Sequence, residues 1–329
     1  MSKIRLSMAC WDYDRTRALM EGTIRPDGIE LTYLNYPVEE TFFRMLRYQE
    51  FDIAEMSLSS YVLSLFQKDA PFIAIPIFPS RFFRHSCIFI NSASGIKSPS
   101  DLIGKRIGTP EYQMTAGVWI RGIMADEYGV PVNSAQYFCG GEEQPGRSEK
   151  ITINLPEDIR LQKIGPAQTL SRMLADGEID ALYTARAPST YSSSTSVNRL
   201  FENYQEVEEC YYRNTGIFPI MHTVVIRREI YEQYPWVAQE MYKALAAAQK
   251  ITYNNLFETA ALKSMLPWLT SHLEYTCKLM GEDYWPYGFL RNKETLKVFL
   301  RYSYEQGLSK RLLNPEELFA PETMETYTI

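Results

Sequence analysis

The chain has 329 residues, of which 45% are hydrophobic and 22% are charged, a composition typical of a folded protein with roughly two domains. Its 34 basic and 40 acidic residues give a net charge of −6, which argues against a broad surface for nucleic acid. No apolar run approaches the roughly 20 residues that a membrane-spanning helix requires, so we expect no membrane partner.

The first part of the chain alternates patterns typical of strands and helices. Period-two or continuous apolar patterns predict strands, and a helical apolar face predicts a helix over 39–48. A turn signal, Pro26-Asp27-Gly28, precedes the second strand. The predicted strands of this first α/β lobe cover residues 4–9, 29–34, 51–56 and 72–78, the last interrupted by Pro76.

A second α/β lobe is predicted from residue 85 onward. It has strands over 85–91, 102–109, 136–139 and 179–184, helices over 115–128 and 168–176, a loop over 140–149 and a polar, flexible stretch over 189–196. Residues 45–53 and 173–181 are identical at four of nine positions, and both stretches end a helix and open a strand. Such an echo is typical of two similar α/β lobes.

The tail is predicted to be helical, over 235–251 and 295–304, without a further strand-rich pattern. We therefore expect it to pack back on the first lobe. This predicts a discontinuous lobe one, residues 1–84 plus 229–329, and a lobe two, residues 85–228. Two chain crossings would form a hinge, with a central cleft between the lobes.

Metal and cofactor motifs are missing from the sequence. The five cysteines are widely spaced without a C-x-x-C pair, and the three histidines form no ligand pair, so no metal site is expected. No G-x-G-x-x-G or phosphate-binding glycine loop occurs, and no cofactor is expected. The first residues lack the apolar stretch of a secretory signal, which predicts a cytoplasmic protein.

Two sets of motifs resemble known families. The segments 102–109 (LIGKRIGT) and 177–181 (GEIDA) resemble motifs of type II periplasmic binding proteins, which implies a two-lobed α/β fold with a hinge and a central cleft. A closer resemblance, to the 4,5-dihydroxyphthalate decarboxylase family, covers nearly the whole chain. The segments 79–86, 141–147 and 216–222 carry it. That resemblance implies a cytoplasmic carboxy-lyase that converts 4,5-dihydroxyphthalate to protocatechuate (3,4-dihydroxybenzoate) and carbon dioxide, in phthalate degradation.

The implied reaction needs an anion clamp, an acceptor near the phenols and a proton donor near the ring. Arg81 and Arg84 lie at the first predicted crossing, where their planar guanidinium groups would suit a carboxylate; capping or surface pairing is the alternative. His85 and His222 lie at the two crossings and are the candidate proton carriers, although a structural role is open for each. His272 in the tail is expected to be structural.

Further candidates follow predicted strands, where ligands of open α/β sheets bind. Trp11 is a candidate for stacking on the ring, Asp12 or Glu111 for accepting phenolic hydrogens, and Arg186 for a carboxylate. Helix capping is the alternative for Asp12 and Thr109, and packing is the alternative for Trp11 and Tyr112. Arg147 is a weaker ligand candidate. The remaining predicted substrate contacts are Ser57, Ser59, Thr109 and Tyr112.

Two other functions remain open at this point. One is a non-catalytic solute-binding protein for an aromatic or other organic anion, and the other is a binding-fold enzyme acting on another carboxylate. The expected partner in each case is a small molecule. For the decarboxylase hypothesis, which we favour, it is an aromatic dicarboxylate. The 44 aromatic residues provide apolar surface that is compatible with a homo-oligomer.

Overall fold

The computed structural model describes residues 3–325, which separate into two α/β units. Unit 1 contains the described residues up to Arg81, the segment Ile220–Leu296 and the described residues from Asn314 onward. Unit 2 contains Phe82–Pro219 and Lys297–Leu313. Within residues 3–325, no helix is both long enough and apolar enough to cross a lipid bilayer.

The described strands and helices are numbered in chain order. The strands are β1 (Ile4–Ala9), β2 (Ile29–Leu34), β3 (Ile53–Ser57), β4 (Phe72–Arg81), β5 (Ile88–Asn91), β6 (Arg106–Thr109), β7 (Gln136–Cys139), β8 (Arg160–Lys163), β9 (Ala181–Tyr183), β10 (Val197–Arg199) and β11 (Ile220–Arg227). The α-helices are α1 (Asp14–Met20), α2 (Val38–Tyr48), α3 (Leu58–Ser64), α4 (Thr115–Tyr128), α5 (Leu170–Ala175), α6 (Ser189–Ser193), α7 (Tyr204–Thr215), α8 (Arg228–Gln233), α9 (Trp236–Leu256), α10 (Leu269–Met280) and α11 (Lys293–Glu305).

The sheet of unit 1 has the strand order β2-β1-β3-β11-β4. Strand β1 is parallel to β2 and β3, whereas β11 is antiparallel to both of its neighbours, β3 and β4. The carboxyl ends of β1, β3 and β4 therefore share one edge of the sheet with the amino end of β11. We call this the unit 1 edge. Strand β3 is buried along its whole length, because it lies between two other strands and is covered by packed side chains.

The sheet of unit 2 has the order β10-β5-β9-β6-β7-β8. Strands β6 to β9 run parallel, and β5 and β10 form an antiparallel margin. The carboxyl ends of β6, β7 and β9 therefore lie together at what we call the unit 2 edge. The long helix α4 ends at Gly129, whose φ of 64° forms a left-handed cap, and it covers the predicted residues 115–128.

The structure corrects the predicted division of the chain. Strand β11 was expected in lobe two up to residue 228, but it pairs with β3 and β4 and therefore belongs to unit 1 from Ile220. Residues Lys297–Leu313 belong to unit 2 rather than to a tail packed on the first unit. The chain therefore passes between the units four times, not twice. The ends of the predicted lobe one, residues 1–2 and 326–329, lie outside the described residues.

The rest of the described tail belongs to unit 1, as expected, but Lys297–Leu313 belongs to unit 2 because α11 packs tightly on α4. Gly122 of α4 faces the ring of Tyr302, and a Cβ atom there would lie within 2.1 Å of that ring. The ring of Trp119 also contacts Tyr302, with centroids 5.7 Å apart. The absence of a side chain at Gly122 thus permits the close approach. A helical pattern alone does not reveal such a partner.

Three local expectations also differ from the structure. Strand β4 continues through Pro76 because it is at the margin of the sheet and has irregular pairing opposite His222, where a missing N–H is tolerated. Residues His85–Cys87 form a 3-10 turn, and the strand begins only at Ile88. The polar stretch that was expected to be flexible contains the short helix α6.

Candidate active site

The centre of the candidate site is a buried carboxylate, Glu55, in the middle of β3. Its side chain is fully enclosed, and a buried charge is costly unless hydrogen bonds replace its water. Oε1 accepts a hydrogen bond from the hydroxyl of Tyr13 at 2.6 Å, and Oε2 accepts one from the backbone N–H of Trp11 at 3.2 Å. The thiol of Cys10 lies 3.6 Å from Oε2. These donors come from the segment that follows β1.

The second member of the site is His222, near the amino end of β11. Its Nδ1 atom lies 2.6 Å from Oε1 of Glu55. In the sheet His222 is directly opposite Ser57, so the pair with Glu55 is a diagonal cross-strand contact on one face. Phe42 packs against the imidazole in a T-shaped contact, with ring centroids 4.9 Å apart. Register, packing and the hydrogen bond together fix the orientation of the ring.

The charge of Glu55 determines that the proton between Glu55 and His222 lies on Nδ1 of His222. Burial acts to raise the pKa of Glu55, but the hydrogen bond and charge of His222 and the donors Tyr13 and Trp11 outweigh it and hold that pKa below its usual range. Burial, together with the charge of Glu55, raises the pKa of Tyr13, which keeps its hydroxyl a neutral donor. An ionised carboxylate only accepts hydrogen bonds, so Nδ1 of His222 donates.

The other ring nitrogen of His222 is available for chemistry. Within residues 3–325, Nε2 has no hydrogen-bond partner, and the side chain keeps 17% of its surface exposed. A carboxylate that holds one nitrogen of an imidazole and leaves the other accessible is a common arrangement for proton transfer. The Glu55–His222 pair is therefore suited to giving or taking a proton at Nε2.

Two of the predicted contacts of unit 1 lie next to this pair. The backbone of Trp11 bonds to Glu55, and the indole is 40% exposed at the unit 1 edge. Ser57 lies opposite His222 in the sheet. Ser59 lies two residues further on, buried within α3.

Two other predicted contacts of unit 1 are engaged elsewhere. The carboxylate of Asp12 pairs with Arg17, with 3.0 Å between Oδ1 and Nη2. The side chain of Arg81 is turned into the body of unit 1, where Nη2 donates to the carbonyl oxygen of Pro286 at 2.9 Å and to the side chain of Asn292. Arg81 therefore acts as a structural tie between β4 and the segment before α11, and it is a weak candidate for an anion clamp.

The structure places His85 in an aromatic cage of unit 2. Its ring is 1% exposed and lies 5.3 Å from Tyr211, 5.4 Å from Phe201 and 6.2 Å from Tyr128, measured between centroids. Neither ring nitrogen has a hydrogen-bond partner in residues 3–325. Burial lowers the pKa of His85 to about 4, so the ring is neutral at pH 7. This environment favours the structural alternative over the predicted role as proton carrier.

The predicted arginines of unit 2 lie close together. Nη1 of Arg84 lies 3.4 Å from the carbonyl oxygen of Ala185 and 3.5 Å from the sulfur of Cys87, so this guanidinium ties the start of unit 2 to the residues after β9. Arg186 follows Ala185 directly and lies at the unit 2 edge, with an exposed side chain. Of the two, Arg186 is the more accessible to an anion.

The polar side chains that follow β6 form hydrogen bonds and ion pairs within unit 2. Glu111 is completely buried, and its Oε1 pairs with Nη2 of Arg147 at 2.6 Å and with Nζ of Lys150 at 2.5 Å. The hydroxyl of Thr109 donates to the backbone of Glu111 at 3.2 Å. Tyr112 is buried against other side chains. Packing, the alternative that the sequence left open for Tyr112, describes its burial, whereas Thr109 caps no helix, since α4 begins at Thr115 and has no side-chain cap.

A carboxylate that the site prediction missed, Glu142, lies at the unit 2 edge. Its Oε2 accepts a hydrogen bond from the hydroxyl of Thr184, just beyond β9, and its Oε1 has no partner among the described residues. Burial raises the pKa of Glu142 to about 7, and the nearby charge of Glu143 adds to the effect. Such a group titrates at physiological pH, which is typical of functional carboxylates.

The sequence carried partial signals for the missed residues. Glu55 is the one charged residue in the apolar run Ile53–Ser57, and an acidic residue inside a predicted buried strand requires an explanation. Glu142 stands in a segment already noted for its resemblance, 141–147. Tyr13 had no signal of its own, because its role depends on the side chain it reaches. No group of three or more His, Cys, Asp and Glu side chains among residues 3–325 is arranged to hold a metal ion.

The buried His85 predicts an acid-sensitive stability. Because its pKa is about 4 in the folded state and 6.5 in the reference state, the unfolded chain binds more protons between these values. The free energy of unfolding is then unaffected above pH 6.5 and falls by up to about 3 kcal/mol as the pH drops towards 4. We expect His85→Phe to remove this part of the loss, measured by urea unfolding between pH 7.5 and 4. The exposed His272→Phe variant is the control, and parallel curves for wild type and His85→Phe would refute the assignment.

The raised pKa of Glu142 predicts the opposite pH dependence. The folded state keeps this proton up to about pH 7 and the unfolded state only up to 4.5, so stability declines as the pH rises through this interval. We expect Glu142→Gln, which mimics the protonated form, to stabilise the chain by up to about 3 kcal/mol at pH 8 and to have little effect at pH 4.5. The exposed Glu202→Gln is the control. An equal or lower melting temperature for Glu142→Gln at pH 8 would contradict the proposed environment.

Comparison with solved structures bears on the fold alone. The periplasmic sulfonate-binding protein SsuA of Methylobacillus flagellatus superposes with a TM-score of 0.58 at 12% identity, covering 98% of this chain and 93% of that chain. The aliphatic sulphonate-binding protein SsuA of Escherichia coli gives a TM-score of 0.54 at 12% identity, with 100% and 96% covered. The predicted fold class, the α/β fold of periplasmic binding proteins, is therefore confirmed.

Comparison with characterised sequences bears on the family. No protein-family model matches the chain. The 4,5-dihydroxyphthalate decarboxylase of Comamonas testosteroni is 42% identical over 330 residues, which cover 100% of both chains. The enzyme of the same name from Pseudomonas putida is 42% identical over 214 residues, which cover 65% of this chain and 83% of the relative. Since the identity to the Comamonas enzyme extends over the full length, this chain belongs to the 4,5-dihydroxyphthalate decarboxylase family.

Proposed function

We propose that this chain decarboxylates 4,5-dihydroxyphthalate to 3,4-dihydroxybenzoate, with release of carbon dioxide, as a step of phthalate degradation, and that His222 gives the proton that replaces the departing carboxylate. The full-length identity to the Comamonas testosteroni enzyme supports the reaction. The observation that carries the mechanism is the 2.6 Å contact between His222 and the buried Glu55. The substrate is thus a small aromatic dicarboxylate.

The substrate supplies much of the electronic assistance itself. Each carboxylate of 4,5-dihydroxyphthalate has a hydroxyl group para to it, and the lone pair of that oxygen can be delocalised to the carbon that bears the carboxylate. This carbon is therefore the position of the ring that accepts a proton. The protein must supply a proton donor next to it, hold the dianion and keep water from competing.

In the proposed step, a proton moves from Nε2 of His222 to the ring carbon that bears the departing carboxylate. The bond between that carbon and the carboxyl carbon then breaks. Its electron pair stays with the ring and restores aromaticity, while the carboxylate leaves as neutral carbon dioxide. The imidazole recovers its proton from solvent, so one proton is consumed for each carbon dioxide released.

The surroundings of His222 fit this role. The ionised Glu55 stabilises the positive imidazolium and holds Nδ1, so Nε2 is the nitrogen that exchanges protons. Tyr13 and Trp11 keep Glu55 ionised by donating to both of its oxygens. The exposed indole of Trp11 offers a flat surface against which an aromatic substrate can lie.

The first experiment is a turnover assay with the purified chain and 4,5-dihydroxyphthalate. We expect stoichiometric carbon dioxide and 3,4-dihydroxybenzoate, measured by gas release and chromatography. A parallel assay with a chelator tests whether the reaction depends on a metal ion. Binding of the substrate without any product would refute the proposal and favour a solute-binding role.

The role of His222 predicts a selective loss of turnover. In His222→Asn the amide nitrogen takes the place of Nδ1 and can still donate to Glu55, but no group replaces Nε2. We expect kcat to fall by roughly 100- to 10,000-fold with KM changed less than about threefold, measured by steady-state kinetics. The exposed His272→Asn on α10 is the matched control and should retain full activity. A His222→Asn variant with near-normal kcat would exclude His222 as the proton donor.

A further inference from the structure

A cation, Arg15, stacks on Tyr13, the residue whose hydroxyl donates to Glu55. Arg15, in the first turn of α1, follows β1 and reaches across the unit 1 edge to the end of β4. There its Nε donates to the carbonyl oxygen of Pro79 at 2.5 Å. Pro79 precedes Ser80, which is the residue opposite His222 on β4. Because β3 and β11 lie between β1 and β4, this path passes over the strands that carry Glu55 and His222.

Aromatic rings hold the guanidinium group of Arg15 in place. Its central carbon lies 4.1 Å from the ring centroid of Tyr13 and 4.5 Å from that of Trp285. Tyr13 is the residue that donates to Glu55, and the indole N–H of Trp285 donates to the carbonyl oxygen of Phe78 at 2.9 Å. A guanidinium stacked in this way has its faces covered and its edge available, which reduces the entropy lost when it binds a planar anion.

The hydrogen bonds of Arg15 leave donors unused. Nε donates to Pro79, and Nη1 pairs with the half-exposed carboxylate of Asp14 at 3.0 Å. Nη2 has no hydrogen-bond partner in residues 3–325 and is not completely buried, and the side chain keeps 17% of its surface exposed. Arg81, the arginine of unit 1 that the sequence favoured, is already bonded to Pro286 and Asn292.

We propose that Arg15 is the substrate-binding residue that pairs with a carboxylate of the aromatic dianion next to His222, and that this carboxylate is the one the product retains. The inference rests on the proposed function and specifies how its substrate is held. The planar guanidinium group of Arg15 is held in place and matches the geometry of a carboxylate. Its enclosure by Tyr13 and Trp285 strengthens the pairing.

The choice of the retained carboxylate follows from where charge moves in the reaction. The departing carboxylate becomes neutral carbon dioxide, so a cation bound to it would stabilise the substrate more than the transition state. A cation bound to the neighbouring carboxylate keeps its partner throughout the reaction. It therefore contributes to binding of substrate, transition state and product alike, and it does not slow the step.

The test compares Arg15→Gln and Arg15→Lys with Arg17→Gln, a control on the same helix whose arginine pairs with Asp12. For Arg15→Gln we expect KM for 4,5-dihydroxyphthalate and the inhibition constant of 3,4-dihydroxybenzoate to rise together by roughly 10- to 100-fold, with kcat within about threefold of wild type. Arg15→Lys should recover part of this loss. Arg17→Gln should resemble wild type, and melting temperatures would verify that each variant is folded.

Several outcomes would overturn the assignment. One is an unchanged KM and inhibition constant in Arg15→Gln, and another is a loss confined to kcat. Arg15 also lines a recess with Tyr253, Tyr284 and Trp285, so weaker binding of phthalate, measured by calorimetry, with unchanged KM would place the anion in that recess instead.

Phthalate binding also separates the two proposals, because phthalate lacks the hydroxyl groups that the reaction needs. If the wild-type chain forms no product but binds phthalate, and Arg15→Gln abolishes that binding, the proposed reaction fails while the role of Arg15 in holding the dianion stands. If the wild type is active and Arg15→Gln behaves like it, the role of Arg15 alone fails.

Discussion

The site depends on one buried charge, the carboxylate of Glu55 in the centre of the unit 1 sheet. An isolated carboxylate at this depth would cost several kcal/mol, so the fold has to surround it with donors. Trp11 and Tyr13 do so from the segment after β1 and His222 from β11, and the strand order brings these two segments together. The same contacts that make the charge tolerable also fix the imidazole and keep one of its nitrogens accessible, so the requirement for stability and the proposed chemistry are met by one arrangement.

Two acidic residues of unit 2, Glu111 and Glu142, lie in different surroundings. Glu111 is buried with two cations, Arg147 and Lys150, at its oxygen. Glu142 has a neutral hydroxyl, Thr184, as its hydrogen-bond partner and a second carboxylate nearby, so burial raises its pKa to about 7. A carboxylate that is kept partly protonated destabilises the folded state at alkaline pH, and such costs are often retained at functional positions. Glu142 is thus a second candidate for acid–base chemistry, at the unit 2 edge.

Much of the fold followed from the sequence, whereas the site followed only in part. Apolar patterns located β1, β2 and β3 and the bounds of α4, because these signals are local. The position of β11 in unit 1 depends on long-range pairing, which no local pattern contains. For the same reason the sequence predicts His222 at a chain crossing but not its partner Glu55. His85 and Arg81 were placed near the predicted crossing, but the directions of their side chains are set by the aromatic cage of unit 2 and by Asn292, which were not foreseeable. The predicted cytoplasmic location and the homo-oligomer stay predictions.

The central claim is that Glu55 makes His222 a proton donor, and the variant Glu55→Gln tests it most directly. Gln keeps the size of the side chain and can accept from Tyr13, but it carries no charge to stabilise an imidazolium. We expect kcat for 4,5-dihydroxyphthalate to fall by roughly 100-fold or more, by analogy with other carboxylate–histidine pairs, while the inhibition constant of 3,4-dihydroxybenzoate changes less than about threefold. A folded Glu55→Gln variant that retains wild-type kcat would contradict the claim.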